Sequence, residues 1–209
     1  MACSKSVLAA LAVAMLAASA PAQAADRGYQ LYDLCQQCHG TAGAGNAAFL
    51  APAIAGLPQW YVEAQLKKFR AGQRGTHFDD IAGMRMRPMS LSLENDADVT
   101  AVAAYVASLA PLAPAPVLAG GDASKGQVLY APCAACHGPD GSGNPAVFGP
   151  PLKHASDWYL LTQLANFRAG VRGAKPGDTS GALMRPMSLT LADEQAMKDV
   201  IAYIKTLAK

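Results

Sequence analysis

The sequence predicts an all-α chain built as two tandem copies of one small helical domain. Three observations carry that expectation. The chain repeats itself at a fixed offset of 98 residues. Its apolar positions recur at helical spacing, and no segment alternates polar and apolar residues well enough to form a strand. Adding the offset carries Gly28, Leu31 and Tyr32 to Gly126, Leu129 and Tyr130, and Trp60-Tyr61 to Trp158-Tyr159. Gln65-Leu66 and Phe69-Arg70 return as Gln163-Leu164 and Phe167-Arg168, and the stretch from Met86 to Leu91 returns unchanged from Met184 to Leu189. The offset never slips, so neither copy needs an insertion.

Residues 1–24 read as an export signal that is removed after about Ala24. Lys5 precedes an apolar run from Val7 to Ala18, and Ala22-Gln23-Ala24 has the small-x-small form of a cleavage site. The run is shorter than the roughly 20 residues a membrane span requires. The first domain, residues 25–110, opens with a helix near Asp26 that runs into Cys35–His39. A glycine loop, Gly43-x-Gly45, follows. A second helix starts near Pro58 and places Trp60, Leu66 and Phe69 on one face. A last helix carries Val99, Val102, Val106 and Leu109 at a spacing that makes one apolar stripe for the core. Residues 111–121 form a linker in which Pro111, Pro114 and Pro116 favour an extended, semi-rigid chain before Gly120-Gly121. The second domain, residues 122–209, repeats the plan with helices starting near Asp122 or Ala123 and near Ser156. Its final helix carries Met197, Val200, Ile204 and Leu207.

Charge excludes little. Lys and Arg number 17 against 15 Asp and Glu, and losing Lys5 with the signal leaves +1. No basic patch points to nucleic acid.

The chemistry is in two pentapeptides, Cys35-x-x-Cys38-His39 and Cys133-x-x-Cys136-His137. This is the attachment pattern of c-type haem. One helical turn presents both sulfurs to one edge of the porphyrin for thioether formation, and the next residue aims an imidazole at the iron. A redox dithiol has no use for the histidine, and a zinc site needs four ligands where each cluster supplies three. Two covalently bound haem c groups are therefore expected, with His39 and His137 as iron ligands. Haem attachment outside the cytoplasm agrees with export, which makes the bacterial periplasm the expected address. Cys3 lies in the signal, so the mature chain holds no spare cysteine.

Iron held by one histidine takes a sixth ligand or keeps an open site, and methionine raises the potential and closes the iron to substrates. The repeat narrows the choice. Met84 aligns with Ala182, His77 with Lys175 and His154 with Gly56, so none is a ligand common to both copies. The two histidines read as surface residues. Two pairs remain, Met86 with Met184 and Met89 with Met187. Trp60, Tyr61, Trp158 and Tyr159 are candidates for propionate hydrogen bonds or for rim packing. Arg70, Arg74, Arg168 and Arg172 are candidates for propionate pairing or for solvated helix ends. Asp79-Asp80 and the group Glu94, Asp96 and Asp98 read better as helix caps than as paired catalytic acids. Residues 76–85 differ between the copies, so the two haem surroundings are expected to differ.

The twin motifs, the Trp-Tyr-x-x-x-Gln-Leu-x-x-Phe-Arg-x-Gly helix and the Met-x-Pro loop before a final helix ending in Ala-Tyr resemble class I cytochromes c. The tandem form resembles the dihaem cytochrome c4 family across nearly all of the mature chain. That family places its ligand methionine seven residues before the leucine that introduces the last helix. Carried over, this implies Met86 before Leu93 and Met184 before Leu191, with Met89 and Met187 as the second choice. It also implies that Gly28 and Gly126 cross the last helices near Tyr105 and Tyr203. The implied function is a periplasmic electron carrier, not an enzyme. Donors would be a quinol-oxidising complex or a periplasmic dehydrogenase, and acceptors a terminal oxidase or reductase, with loose membrane association left open. The alternative is a haem-containing subunit or a small dihaem enzyme such as a thiosulfate-oxidising oxidoreductase, which would need an open coordination site.

Overall fold

The computed structural model describes residues 20–208, with side chains from Asp26 onward. The expected export signal lies outside the described residues up to position 19, and its cleavage site falls within the backbone of the first helix. Among the described residues the fold is all helical. Each half contributes four α-helices: α1 Ala20–His39, α2 Gln59–Arg70, α3 Ile81–Leu91 and α4 Asp96–Ser108, then α5 Ala123–His137, α6 Asp157–Arg168, α7 Thr179–Leu189 and α8 Glu194–Thr206. Short 3-10 turns, Ala47–Phe49 and Pro145–Val147, follow the first helix of each half. The only extended pairing among the described residues is two isolated bridges, Asn46 with Ala51 and Asn144 with Gly149. No helix there is long and apolar enough to cross a membrane.

First and last helices cross in each half, α1 on α4 and α5 on α8. Glycine permits the approach. A Cβ on Gly28 would stand 2.4 Å from the Ala101 carbonyl oxygen, and one on Gly126 would stand 1.9 Å from that of Asp199. Tyr105 and Tyr203 border these crossings, as the resemblance implied. Beneath them lie the cores: Tyr32, Leu93, Val99, Val102 and Val106 in the first half, and Tyr130, Leu160, Leu191, Met197, Val200, Ile201 and Ile204 in the second. Fully burying a valine or leucine contributes about 1.5–3 kcal/mol, so the apolar stripe of the last helix is what holds each half together.

The methionine segment is a helix, not the loop that its proline suggested. Asp80 and Asp178 cap α3 and α7 by accepting from the Gly83 and Gly181 amides, each at 3.0 Å. Pro88 and Pro186 sit inside these helices, where proline removes a backbone donor and costs roughly 3 kcal/mol. Ser90 and Ser188 are fully buried there and donate back to the Arg87 and Arg185 carbonyls at 2.7 Å. The cap and the packed face outweigh the proline.

The linker is anchored rather than free. The Asp157 carboxylate accepts from the Val117 and Leu118 amides at 2.6 and 2.7 Å, and Gln195 donates to the Gly120 carbonyl at 2.7 Å. The halves also bond directly: the Ala53 amide donates to Ser156 Oγ at 3.2 Å, and Lys68 forms an ion pair with Asp178.

Candidate functional site: two cysteine–histidine motifs

Each Cys-x-x-Cys-His motif closes the C-terminal turn of a first helix, and that of the first half faces an apolar cleft. That cleft is lined by Cys35, Cys38 and His39, by Met86 and Met89, and by Leu66, Leu93 and Val102. Loop residues 51–54 and Leu57 run along its wall. They are brought there by Gly43 and Gly45, whose positive φ of 69° and 80° lets the chain fold back so that the Gly45 amide bonds the His39 carbonyl at 2.8 Å.

That loop sets the histidine. His39 is buried, and its Nδ1 lies 2.8 Å from the Pro52 carbonyl oxygen. A carbonyl only accepts, so Nδ1 carries the proton and Nε2 is left with its lone pair. His137 repeats the arrangement with Pro150 at 2.8 Å. Burial lowers both histidine pKa values, the carbonyl opposing it weakly, so each ring is neutral at neutral pH. A neutral imidazole of fixed tautomer is what metal ligation requires.

The thiols behave as covalent attachment points rather than as redox nucleophiles. All four are free, with Cys35 and Cys133 half-buried and Cys38 and Cys136 exposed. Burial pushes the Cys35 thiol up to about 11 and raises Cys133 as well. A catalytic dithiol depends on the opposite shift. Apolar walls, two thiols at one edge and an imidazole with a free Nε2 suit a haem, and nothing in the cleft opposes it.

Met86 and Met89 are both half-buried and both line the cleft, while Met84 is 41% exposed and stands outside it. Met184 and Met187 are half-buried at the corresponding places. The segment before them differs as expected: Phe78, Ile81 and Met84 are exposed apolar residues where the second half has Pro176, Thr179 and Ala182. His154 departs from the surface reading. It is half-buried, its Nδ1 is enclosed without a partner, and it lines a small pocket between the halves with Gly56, Pro58 and Pro151. His77 is half-exposed, stacked on Phe78 and within 3.7 Å of Asp79.

The arginines divide. Arg70 reaches Asp96 at 3.5 Å, and Arg168 donates to the Leu191 and Ala192 carbonyls, so both hold the start of the last helix. Arg74 and Arg172 are buried where the halves meet, beside Tyr61 and Tyr159, and each bonds both Gln65 and Gln163. Sequence reasoning missed this junction and the Pro52 and Pro150 carbonyls. Both obey the repeat offset, which is the signal that could have found them.

Comparison with known proteins agrees with this geometry. The cytochrome c family matches residues 25–110 and 123–208. The thiosulfate dehydrogenase electron acceptor of Stutzerimonas stutzeri is 35% identical over 199 residues, covering 84% of this chain and 86% of that protein. Cytochrome c4 from Pseudomonas stutzeri, in its reduced recombinant form, superposes with a TM-score of 0.68 at 28% identity over 87% of this chain and 97% of that one. A thiosulfate dehydrogenase (TsdBA) from Marichromatium purpuratum gives a TM-score of 0.69 at 33% identity over 87% of this chain, which spans 40% of that longer chain.

Proposed function

Because the chain belongs to the cytochrome c family, as a dihaem class I c-type cytochrome resembling cytochrome c4, we propose that it is an exported periplasmic carrier that takes electrons from a thiosulfate-oxidising dehydrogenase. Its acceptor in this reading is a terminal oxidase or reductase. Two covalent haem c groups and a role in electron transfer come with the family. The observation that carries the donor is the thiosulfate dehydrogenase electron acceptor, a relative matched along most of both chains.

In this reading Cys35 and Cys38 hold one haem and Cys133 and Cys136 the other, with residues 25–110 and 122–209 as the two haem domains. His39 and His137 ligate iron through Nε2, while the Pro52 and Pro150 carbonyls keep each ring turned and neutral. Met86 and Met184 supply the sixth ligands. The haem iron supplies a one-electron couple; the protein excludes water, fixes the ligands and sets the potential. A closed coordination sphere makes the chain a carrier rather than an enzyme.

Mixing the oxidised protein with thiosulfate and a purified thiosulfate dehydrogenase, and following haem reduction by stopped-flow absorbance, tests the donor. Both haems are expected to reduce within the mixing experiment, and reduction no faster than without the dehydrogenase rejects it. The ligands are tested by Met86→His and Met184→His, each expected to lower one haem potential and remove its far-red charge-transfer band. If neither does, Met89 and Met187 are the ligands. A high-spin ferric haem in the parent would favour an enzyme.

A further inference from the structure

Two arginines at the junction of the halves are buried without an ion-pair partner. Arg74 and Arg172 are 6% and 7% exposed. Arg74 donates to Gln65 Oε1 at 2.8 Å and to Gln163 Oε1 at 3.4 Å. Arg172 donates to Gln163 Oε1 at 2.6 Å and to Gln65 Oε1 at 2.9 Å. Each guanidinium thus binds one glutamine of its own half and one of the other. Each stacks on a phenylalanine, Arg74 on Phe69 at 4.3 Å and Arg172 on Phe167 at 4.5 Å.

Among the described residues no carboxylate lies within ion-pair distance of either arginine. The nearby carboxylates are engaged mainly elsewhere: Asp80 accepts from the Gly75 and Gly83 amides, and Asp178 pairs with Lys68 and caps the Gly181 amide, its Oδ2 enclosed without a hydrogen bond and its charge reaching Arg172 only from beyond ion-pair distance. The Nε–H of both arginines is enclosed with no acceptor. Two like charges so placed repel one another and lack a counter-charge in contact with either, which burial demands. The cleft that begins at Cys35 and His39 continues to this point, where Gln65 and Arg74 of the first half meet Tyr159 and Gln163 of the second. A haem brings carboxylate side chains into such a cleft, and the guanidinium fork matches a carboxylate.

We propose that Arg74 and Arg172 form a single crossed seat for carboxylates of both haems and so couple the two reduction potentials. The seat rests on the two-haem reading above. A positive charge beside a haem carboxylate favours the reduced iron, so removing it lowers the potential. Because each arginine reaches into both halves, losing either one lowers both potentials. An arginine private to its own half would lower one.

The test is spectroelectrochemical titration of R74Q and R172Q, with R74K and R172K as charge-keeping controls. Each Gln variant is expected to shift both redox waves downward, by about tenfold in the reduction equilibrium, or about 59 mV for a one-electron couple. The Lys variants are expected to recover most of that shift. Movement of one wave only, or of neither, in variants that retain two haems overturns the seat while leaving the carrier reading intact. Potentials of the parent that follow phosphate concentration at fixed ionic strength would place a free anion there and also overturn it. Should a Gln variant lose haem, redox difference infrared spectra of the parent labelled with 15N-arginine give a second readout. Guanidinium bands are expected to respond at both reduction steps, and bands silent at either step reject the coupling.

Discussion

At His39 and His137 a backbone carbonyl, not a carboxylate, holds the ring nitrogen that does not face the cleft. The ring is oriented without adding charge beside it. Elsewhere the two halves solve one problem with different residues. In the first half Arg27 grips Asp98 with two bonds of 2.9 Å, pinning α1 to the start of α4. The repeat places Lys125 and Ala196 at those positions, and there Asp199 accepts from the Asp122 amide at 2.9 Å instead. The Arg27 hydrogen bond, helped by the Glu94 amide, holds Asp98 below its ordinary value of 3.8. A carboxylate with a depressed folded pKa stabilises the fold above its unfolded value and loses that contribution as pH falls through its folded one. Asp98→Asn is therefore expected to melt at a lower temperature than the parent above about pH 4, with the two melting curves converging in stronger acid. A constant difference across thermal melts from pH 7 to pH 2.5 would show that the pair does not titrate with folding. The Cys and His positions were legible in the sequence because their chemistry demands a fixed local spacing. The Arg27–Asp98 pair was not, because its partners are 71 residues apart and absent from the second copy.

Among the helices, α4 and α8 were readable from their stripes, since Val99, Val102 and Val106 recur at helical spacing and all are buried. Their starts are set by Asn95 and Asp193, which cap them through the Asp98 and Ala196 amides, whereas of the acidic group read as caps Asp96 and Asp98 lie in the first turn of α4 beside Asn95. By contrast α3 and α7 were hidden by Pro88 and Pro186, and only capping and packing of Ser90 and Ser188 show why a helix survives there. The crossing of first and last helices makes the sharpest demand. Ala at Gly28 or Gly126 would drive a methyl into a carbonyl of the opposing helix, and overpacking of this kind costs about 1–3 kcal/mol. Urea unfolding is expected to show a lower midpoint for Gly28→Ala and a still lower one for Gly126→Ala, whose Cβ contact is the shorter. Equal stability to the parent would mean that the helices part without cost.

In the whole molecule the junction keeps the repeat in its arginine–glutamine cluster and breaks it in the bonds alongside. Lys68 reaches across to Asp178, yet its counterpart Asn166 offers Asp80 no such cation. Ser156 holds the Ala53 amide next to Pro52, whereas the equivalent pair, Pro58 and Pro151, has neither hydroxyl nor N–H to make that bond. The loop that orients His39 is therefore braced by the other half, and the loop that orients His137 is not. Lys68→Ala would leave Asp178, whose side chain is fully buried, without its cation, and stranding a buried charge costs about 3–5 kcal/mol. Thermal unfolding of the intact two-haem protein is expected to shift down accordingly, and an unchanged transition would show that solvent reaches Asp178.

The sequence by itself determined the duplication, the helical class and the haem attachment motifs, and it narrowed the proposed ligands to two histidines and two methionine pairs. All of these depend on residues close together in the chain, or on one offset applied throughout. The tertiary structure alone decided that α2 and α6, with the turns that follow them, bring Gln65, Gln163, Arg74 and Arg172 into one crossed cluster. It also decided that Pro52 and Pro150 supply the carbonyls behind the histidines. Those arrangements depend on burial and on contacts between distant segments, where a repeated residue reveals its partner only once the two halves are folded against each other.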